Sequence, residues 1–158
     1  AIDVNQATNY GATPLMISAY IGHFELVQLL RLRGANAELV DTDNRTAIDM
    51  ARDEGYDNIA DWLDATKTWP SVFIAVDLRD FEAVVEGVRK DDLSITVNDG
   101  KSLLDIAQRI SLTNQPVNQE IVNLVEIGMK AWTLDRHKLY PALYKICYPA
   151  EWVQATKH

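Results

Sequence analysis

Basic residues are scarce in this chain. Of its 158 residues, 15 are lysine or arginine and 23 are aspartate or glutamate, a formal net charge of −8. That balance excludes a long-range attraction to nucleic acid or to an anionic membrane surface, and it favours a protein partner that is neutral or basic. Cysteine occurs once, at Cys147, so no intrachain disulfide can form; this agrees with a reducing intracellular compartment, the cytoplasm first. No apolar run approaches the roughly 20 residues that span a bilayer, which excludes direct insertion by this segment. No His-x-x-x-His pair exists, so a metal site would need distant ligands; neither a metal nor a cofactor is expected. An initiator methionine is also missing, since the chain starts at Ala1. The expectation is a piece of a longer protein, with any targeting signal upstream.

What is present is globular in composition, 47% hydrophobic and 24% charged. The most informative stretch is Gly11 to Gly34. Thr13 suits a helix N-cap, its hydroxyl accepting from first-turn amides, and Pro14 follows at the first helical position, where its missing N–H costs nothing. Leu15, Ile17, Ser18 and Ala19 give the helix an apolar side of mostly small residues, open to close approach by a neighbour, and Gly22 can stop it in the left-handed conformation. Leu26, Val27, Leu29 and Leu30 then predict one buried stripe of a second helix that Gly34 ends. The unit is a helical hairpin.

Thr13, Pro14, Leu15, Ser18, Ala19, Gly22, His23, Val27, Leu29, Leu30, Gly34 and Ala35, at these spacings, resemble one ankyrin repeat. A shift of one ankyrin period, about 33 residues, carries Thr13 to Thr46, Leu15 to Ile48, Ser18 to Ala51, Gly22 to Gly55 and Leu30 to Leu63. The second helix of that unit, from Asp57 to about Ala65, ends without the usual glycine. Phe73 to Val88 matches a third helix pair set only 24 positions on (Ala75 against Ala51), so the connection is shortened; Pro70 sits near the new helix start, Thr68 or Trp69 caps it, and Trp69 fills the join. A fourth unit opens at Asp99 and Gly100, with Ser102 as its cap, an insertion over Ser111 to Pro116, and Asn118 capping a helix from Gln119 to about Gly128. The expected fold is an all-α ankyrin-repeat solenoid of about four helix pairs. Its units are 8–41, 42–66, 67–97 and 98–130; residues 1–7 resemble the end of a missing upstream repeat, and residues 131–158 form a helical C-terminal cap rich in aromatics, as a terminal repeat requires. Trp132 to Pro141 resembles a tail that follows ankyrin repeats in proteins of unicellular algae and related protists.

Motifs with chemistry give way to this reading. Gly100, Lys101 and Ser102 end like a phosphate loop, yet the earlier glycine position is Ile95 and no strand is predicted before it. Asp41, Asp43 and Asn44 begin like a calcium loop that fails at Arg45 and Thr46. Asp53, Glu54, Asp57, Asp61 and Asp64 read as a solvated helix face, able to serve half of an electrostatic interface. A Cys147 and His137 nucleophile pair lacks an orienting partner. No catalytic residue is expected.

The resemblance implies protein binding through hairpin tips and the inner helix face. Carried over by position, the candidate contacts are Asn9, Tyr10, Ala12, Tyr20, Ile21 and Arg33 in the first unit, and Thr42, Asp43, Arg45, Asp53 and Glu54 in the second. Asp77 and Leu78 follow in the third, then Asn98, Asp99, Lys101, Arg109 and Ile110 in the fourth. Packing of Tyr10 and Tyr20 on an upstream repeat is the competing explanation. The expected function is a protein–protein interaction module or a subunit of a larger assembly; the alternatives are an adaptor whose aromatic tail docks a second protein, or the regulatory part of a larger enzyme.

Overall fold

A computed structural model describes residues 3–90, 93–98, 100–111 and 116–131. The described residues form eight α-helices and no strand: α1 (Pro14–Ile21), α2 (Phe24–Leu32), α3 (Ala47–Asp53), α4 (Asp57–Thr66), α5 (Ser71–Asp77), α6 (Phe81–Lys90), α7 (Leu103–Ser111) and α8 (Pro116–Ala131). Over the described residues the fold is all-α, a run of consecutive helix pairs. Two compact units divide it, Ala1–Ile74 and Ala75–His158. The tail from residue 132 onward, with the expected cap, lies outside the described residues, as do Cys147 and His137.

The first helices of three pairs, α1, α3 and α7, start by one device. Thr13 and Thr46 accept from the amides of Met16 and Asp49, and Ser102 accepts from Asp105. The return bonds come from the backbone N–H of the cap to the Met16 thioether, the Asp49 carboxylate and the Asp105 carboxylate. These reciprocal bonds satisfy two orphan amides per helix and pull the carboxylates of Asp49 and Asp105 below their ordinary pKa, chiefly through the backbone bond.

In the first unit α1 packs on α2 and on α3, and α3 packs on α4. Ala19 and Ala51 are fully buried, which permits the close approach of α1 and α3. Met16, Val27, Met50, Ile59 and Leu63 fill the core, and the Phe24 and Trp62 rings meet edge to face at 5.8 Å. The stripe expected on α2 is corrected. Leu26 and Leu29 are exposed, and Arg31, one turn beyond Val27, is buried in their place. Its guanidinium donates to the carbonyls of Ala35, Thr66 and Trp69. These carbonyls lie where α2 and α4 end, so a side chain supplies donors that helix termini otherwise lack. Trp69 is buried beside Phe73, and the Pro70 carbonyl accepts the amides of Phe73 and Ile74 in α5. Val72 to Val76 are buried without interruption, so α5 is covered on all sides.

In the second unit α8 packs on α6 and α7 around Val88, Leu93, Leu103, Ile106, Ile121 and Leu124. Two expectations change here. Asn118 does not cap α8; it lies buried in its first turn and its amide donates to the Ile110 carbonyl at 3.0 Å. Gly128 does not stop the helix, which continues to Ala131; a Cβ there would come within 2.6 Å of Val88 Cγ1, so glycine is what lets α6 approach.

The connection between paired helices needs one residue at positive φ. Gly22 and Gly55 supply it in the first two pairs, whereas the third uses Arg79 at φ 58°. The Asp80 amide bonds Ala75 O as the His23 amide bonds Ser18 O, which makes the positions equivalent. A side chain in this region costs about 1 kcal/mol, and Arg79 is exposed. Arg79→Gly is therefore expected to raise stability by roughly 0.5–1 kcal/mol, seen as a melting temperature a few degrees higher.

Candidate functional site: a groove beside the first two hairpins

The first two hairpins lie against each other. The Thr42 amide donates to the Tyr10 carbonyl at 3.0 Å, and Gly11, at φ 76°, has Asp41 Cα only 3.0 Å from where a Cβ would stand. The second hairpin is organised by Asp41. One carboxylate oxygen accepts from the amides of Asp43 and Arg45 at 3.0 and 2.9 Å, and the other accepts Nε and Nη2 of Arg45 at 3.2 and 2.9 Å. These bonds, led by the Arg45 amide, hold the Asp41 carboxyl below the usual carboxylate range, and the same pairing raises the Arg45 pKa. Asn44 takes the left-handed conformation at φ 62°, in the place that Gly11 occupies in the first hairpin. The apparent calcium loop is thus a closed turn whose first ligand is already saturated.

Between this turn and α1 lies a groove of about 480 Å³. Its lining includes Tyr10, Ala12, Ile17, Tyr20 and Ile21 on one side and Asp41, Thr42, Asp43, Arg45 and Met50 on the other. Tyr10, Tyr20 and Ile21 are 77%, 54% and 62% exposed. Large apolar side chains so exposed and so clustered are unusual on a folded surface.

Seven of the sequence candidates meet here: Tyr10, Ala12, Tyr20, Ile21, Thr42, Asp43 and Arg45. Asp53 lies near enough to add to the rise in the Arg45 pKa. Asn9, Arg33 and Glu54 are exposed but do not line the groove. In the second unit, Arg109 pairs with Asp77 at 3.3 Å, Leu78 is half-buried, and Asn98 and Lys101 are exposed on a turn. Asp99 lies outside the described residues. Ile110 is corrected: at 6% exposure it is part of the core, since the face of α7 that carries Leu103, Ile106 and Ala107 also carries it. Three lining residues were missed, Ile17, Asp41 and Met50. Ile17 was assigned to the packed side, although Ile17, Tyr20 and Ile21 stand at i, i+3 and i+4 and so share one face. Met50 is the counterpart of Ile17 one period later (50 − 17 = 33).

Among the described residues no group of three His, Cys, Asp or Glu side chains is placed to hold a metal, and no helix is long and apolar enough to cross a membrane.

The first two helix pairs are capped alike at one period, Thr13 to Thr46 (46 − 13 = 33), with their hairpins side by side. Residues 1–51 match the family model described as ankyrin repeats in many copies. Among curated proteins the chain is similar to the putative E3 ubiquitin-protein ligase XBAT34 of Arabidopsis thaliana, 47% identical over 49 residues, which is 31% of this chain and 13% of that protein. It is also similar to the NAD-capped RNA hydrolase NUDT12 of Homo sapiens, 38% identical over 64 residues, 40% of this chain and 14% of the relative. The match therefore spans about one seventh of each relative's length.

Proposed function

We propose that this chain is a non-catalytic protein-binding module that receives its partner in the groove between α1 and the second hairpin. Ankyrin repeats bind protein partners and as a family are generally non-catalytic, which supports the class of function. The observation that carries the choice of surface is the open cluster of Tyr10, Ile17, Tyr20 and Ile21 beside a hairpin rigidified by Asp41. Tyrosine offers large contact area at low ordering cost, and a preformed groove binds without first being built. Asn9, Arg33 and Glu54 do not line the groove and are kept as secondary contacts of the first unit; Asp77, Leu78, Asn98, Lys101 and Arg109 are kept as candidate contacts of the second unit by itself. The experiment is capture of partners by the full chain and by its Tyr20→Ala, Ile21→Ala variant, with bound proteins compared by mass spectrometry. Proteins lost from the variant, while its melting temperature is kept, are the expected result.

A second reading makes the segment the regulatory part of a larger enzyme. The small share of the two enzyme-named relatives that it matches favours this. The mass of the intact chain decides it.

A further inference from the structure

We infer that the groove takes a short segment of a partner protein in which an aliphatic or aromatic side chain stands beside lysine or arginine. This deepens the reading of the groove as a docking surface and rests on it.

Electrostatics carries the inference. Among the described residues that line the groove, Arg45 is the one cation. It is already committed to Asp41 by two bonds and to Asp43 at 3.4 Å, and Asp53 adds a third carboxylate close by. One guanidinium thus contacts two carboxylates, with the charge of a third at longer range. An acidic segment would meet the exposed Asp43 and Asp53 and could reach Arg45 only by breaking the bonds that hold the hairpin. A basic segment meets the opposite situation. The Asp41 carboxylate is nearly buried, its side chain 6% exposed, and it keeps Arg45 in place whatever Asp43 does. Asp43 is 73% exposed at its side chain, and its contact to Arg45 is the longest of the set. It can turn to an incoming ammonium or guanidinium without loosening the turn. Tyr20 and Ile21 stand across the groove to receive the apolar neighbour. Exposed charges of this kind contribute modestly to affinity and more to choice between partners.

The test uses the full chain and three fluorescein-labelled peptides of about a dozen residues, read by anisotropy. One places Phe and Leu between lysines, the second places them between glutamates, and the third keeps the lysines but replaces Phe and Leu with Ser and Gly. The lysine-flanked apolar peptide is expected to bind about tenfold more tightly than either of the others, and less tightly as salt rises from about 50 to about 300 mM. Asp43→Asn, which keeps the fold, is expected to weaken it about threefold. Equal or tighter binding of the glutamate peptide, an unchanged affinity in Asp43→Asn, or no saturable binding up to about 1 mM overturns the inference. The groove reading fails separately. If the cellular partners are lost in Tyr20→Ala, Ile21→Ala while the glutamate peptide wins, the groove stands and its preference for cations falls.

Discussion

Arg31→Ala is expected to destabilise the first unit by about 3 kcal/mol. Arginine is among the residues least often buried, yet Arg31 is only 4% exposed, and no carboxylate touches it. Burial lowers its pKa, with Glu38 opposing from a distance. Its partners are neutral carbonyls: Ala35 just past α2, Thr66 at the last residue of α4, and Trp69 in the shortened join. Helix ends present carbonyls of this kind, with the negative end of the dipole behind them, so a cation there offsets its own desolvation. Truncation would strip the donors from buried acceptors and open a void beside Trp69. Arg31→Met separates the two causes. It refills much of the volume without donors, so a loss of at least about half the alanine effect marks the hydrogen bonds as the larger part. Arg31→Lys keeps the charge but cannot fork between Ala35 and Thr66, and it is expected to fall between wild type and alanine. Urea unfolding with an unchanged slope would report these differences as stability rather than as a change of state.

Gly22→Ala is the second large effect, about 2–3 kcal/mol, from two causes that add. Gly22 sits at φ 84°, and its amide bonds the carbonyls of Ser18 and Ala19 to close α1. The left-handed conformation costs an alanine about 1–2 kcal/mol. The new methyl would also stand 2.4 Å from the Tyr56 ring of the next pair, so the ring must swing away and forfeit its packing. Gly55, at φ 82° with nothing near its Cβ direction, is the internal control. Gly55→Ala carries only the conformational cost. A melting temperature lowered equally by the two substitutions would show that the Tyr56 contact contributes nothing.

The contrast between these sites shows what the sequence made legible. Thr13, Thr46 and Ser102 announce their helices locally, because a cap and its partner lie within four residues, and the shift of 33 positions from Thr13 to Thr46 exposes the repeat. Arg31 is different. Its acceptors at Thr66 and Trp69 lie 35 and 38 residues away, and nothing in the local pattern distinguishes it from a solvated arginine. The helix expected to end near Gly128 runs on to Ala131, and the reason for that glycine is Val88 of another helix, 40 residues away (128 − 88 = 40), which a local pattern does not show. Of the groove, the tyrosines and the hairpin charges were visible by position. Asp41 was not, since its role comes from four donors folding back onto one carboxylate.

The central claim is that Tyr20 and Ile21 form the floor of contact with a protein partner. Its most direct test is the affinity of a captured partner for the full chain and for Tyr20→Ala, Ile21→Ala, measured by calorimetry with both proteins shown to melt alike. Both residues are exposed, so the fold is expected to tolerate the change within about 0.5 kcal/mol. The account predicts a Kd at least about thirtyfold weaker, the loss of some 2 kcal/mol expected when anchor side chains are removed. A Kd unchanged within about twofold would contradict it and would move the binding surface away from the groove.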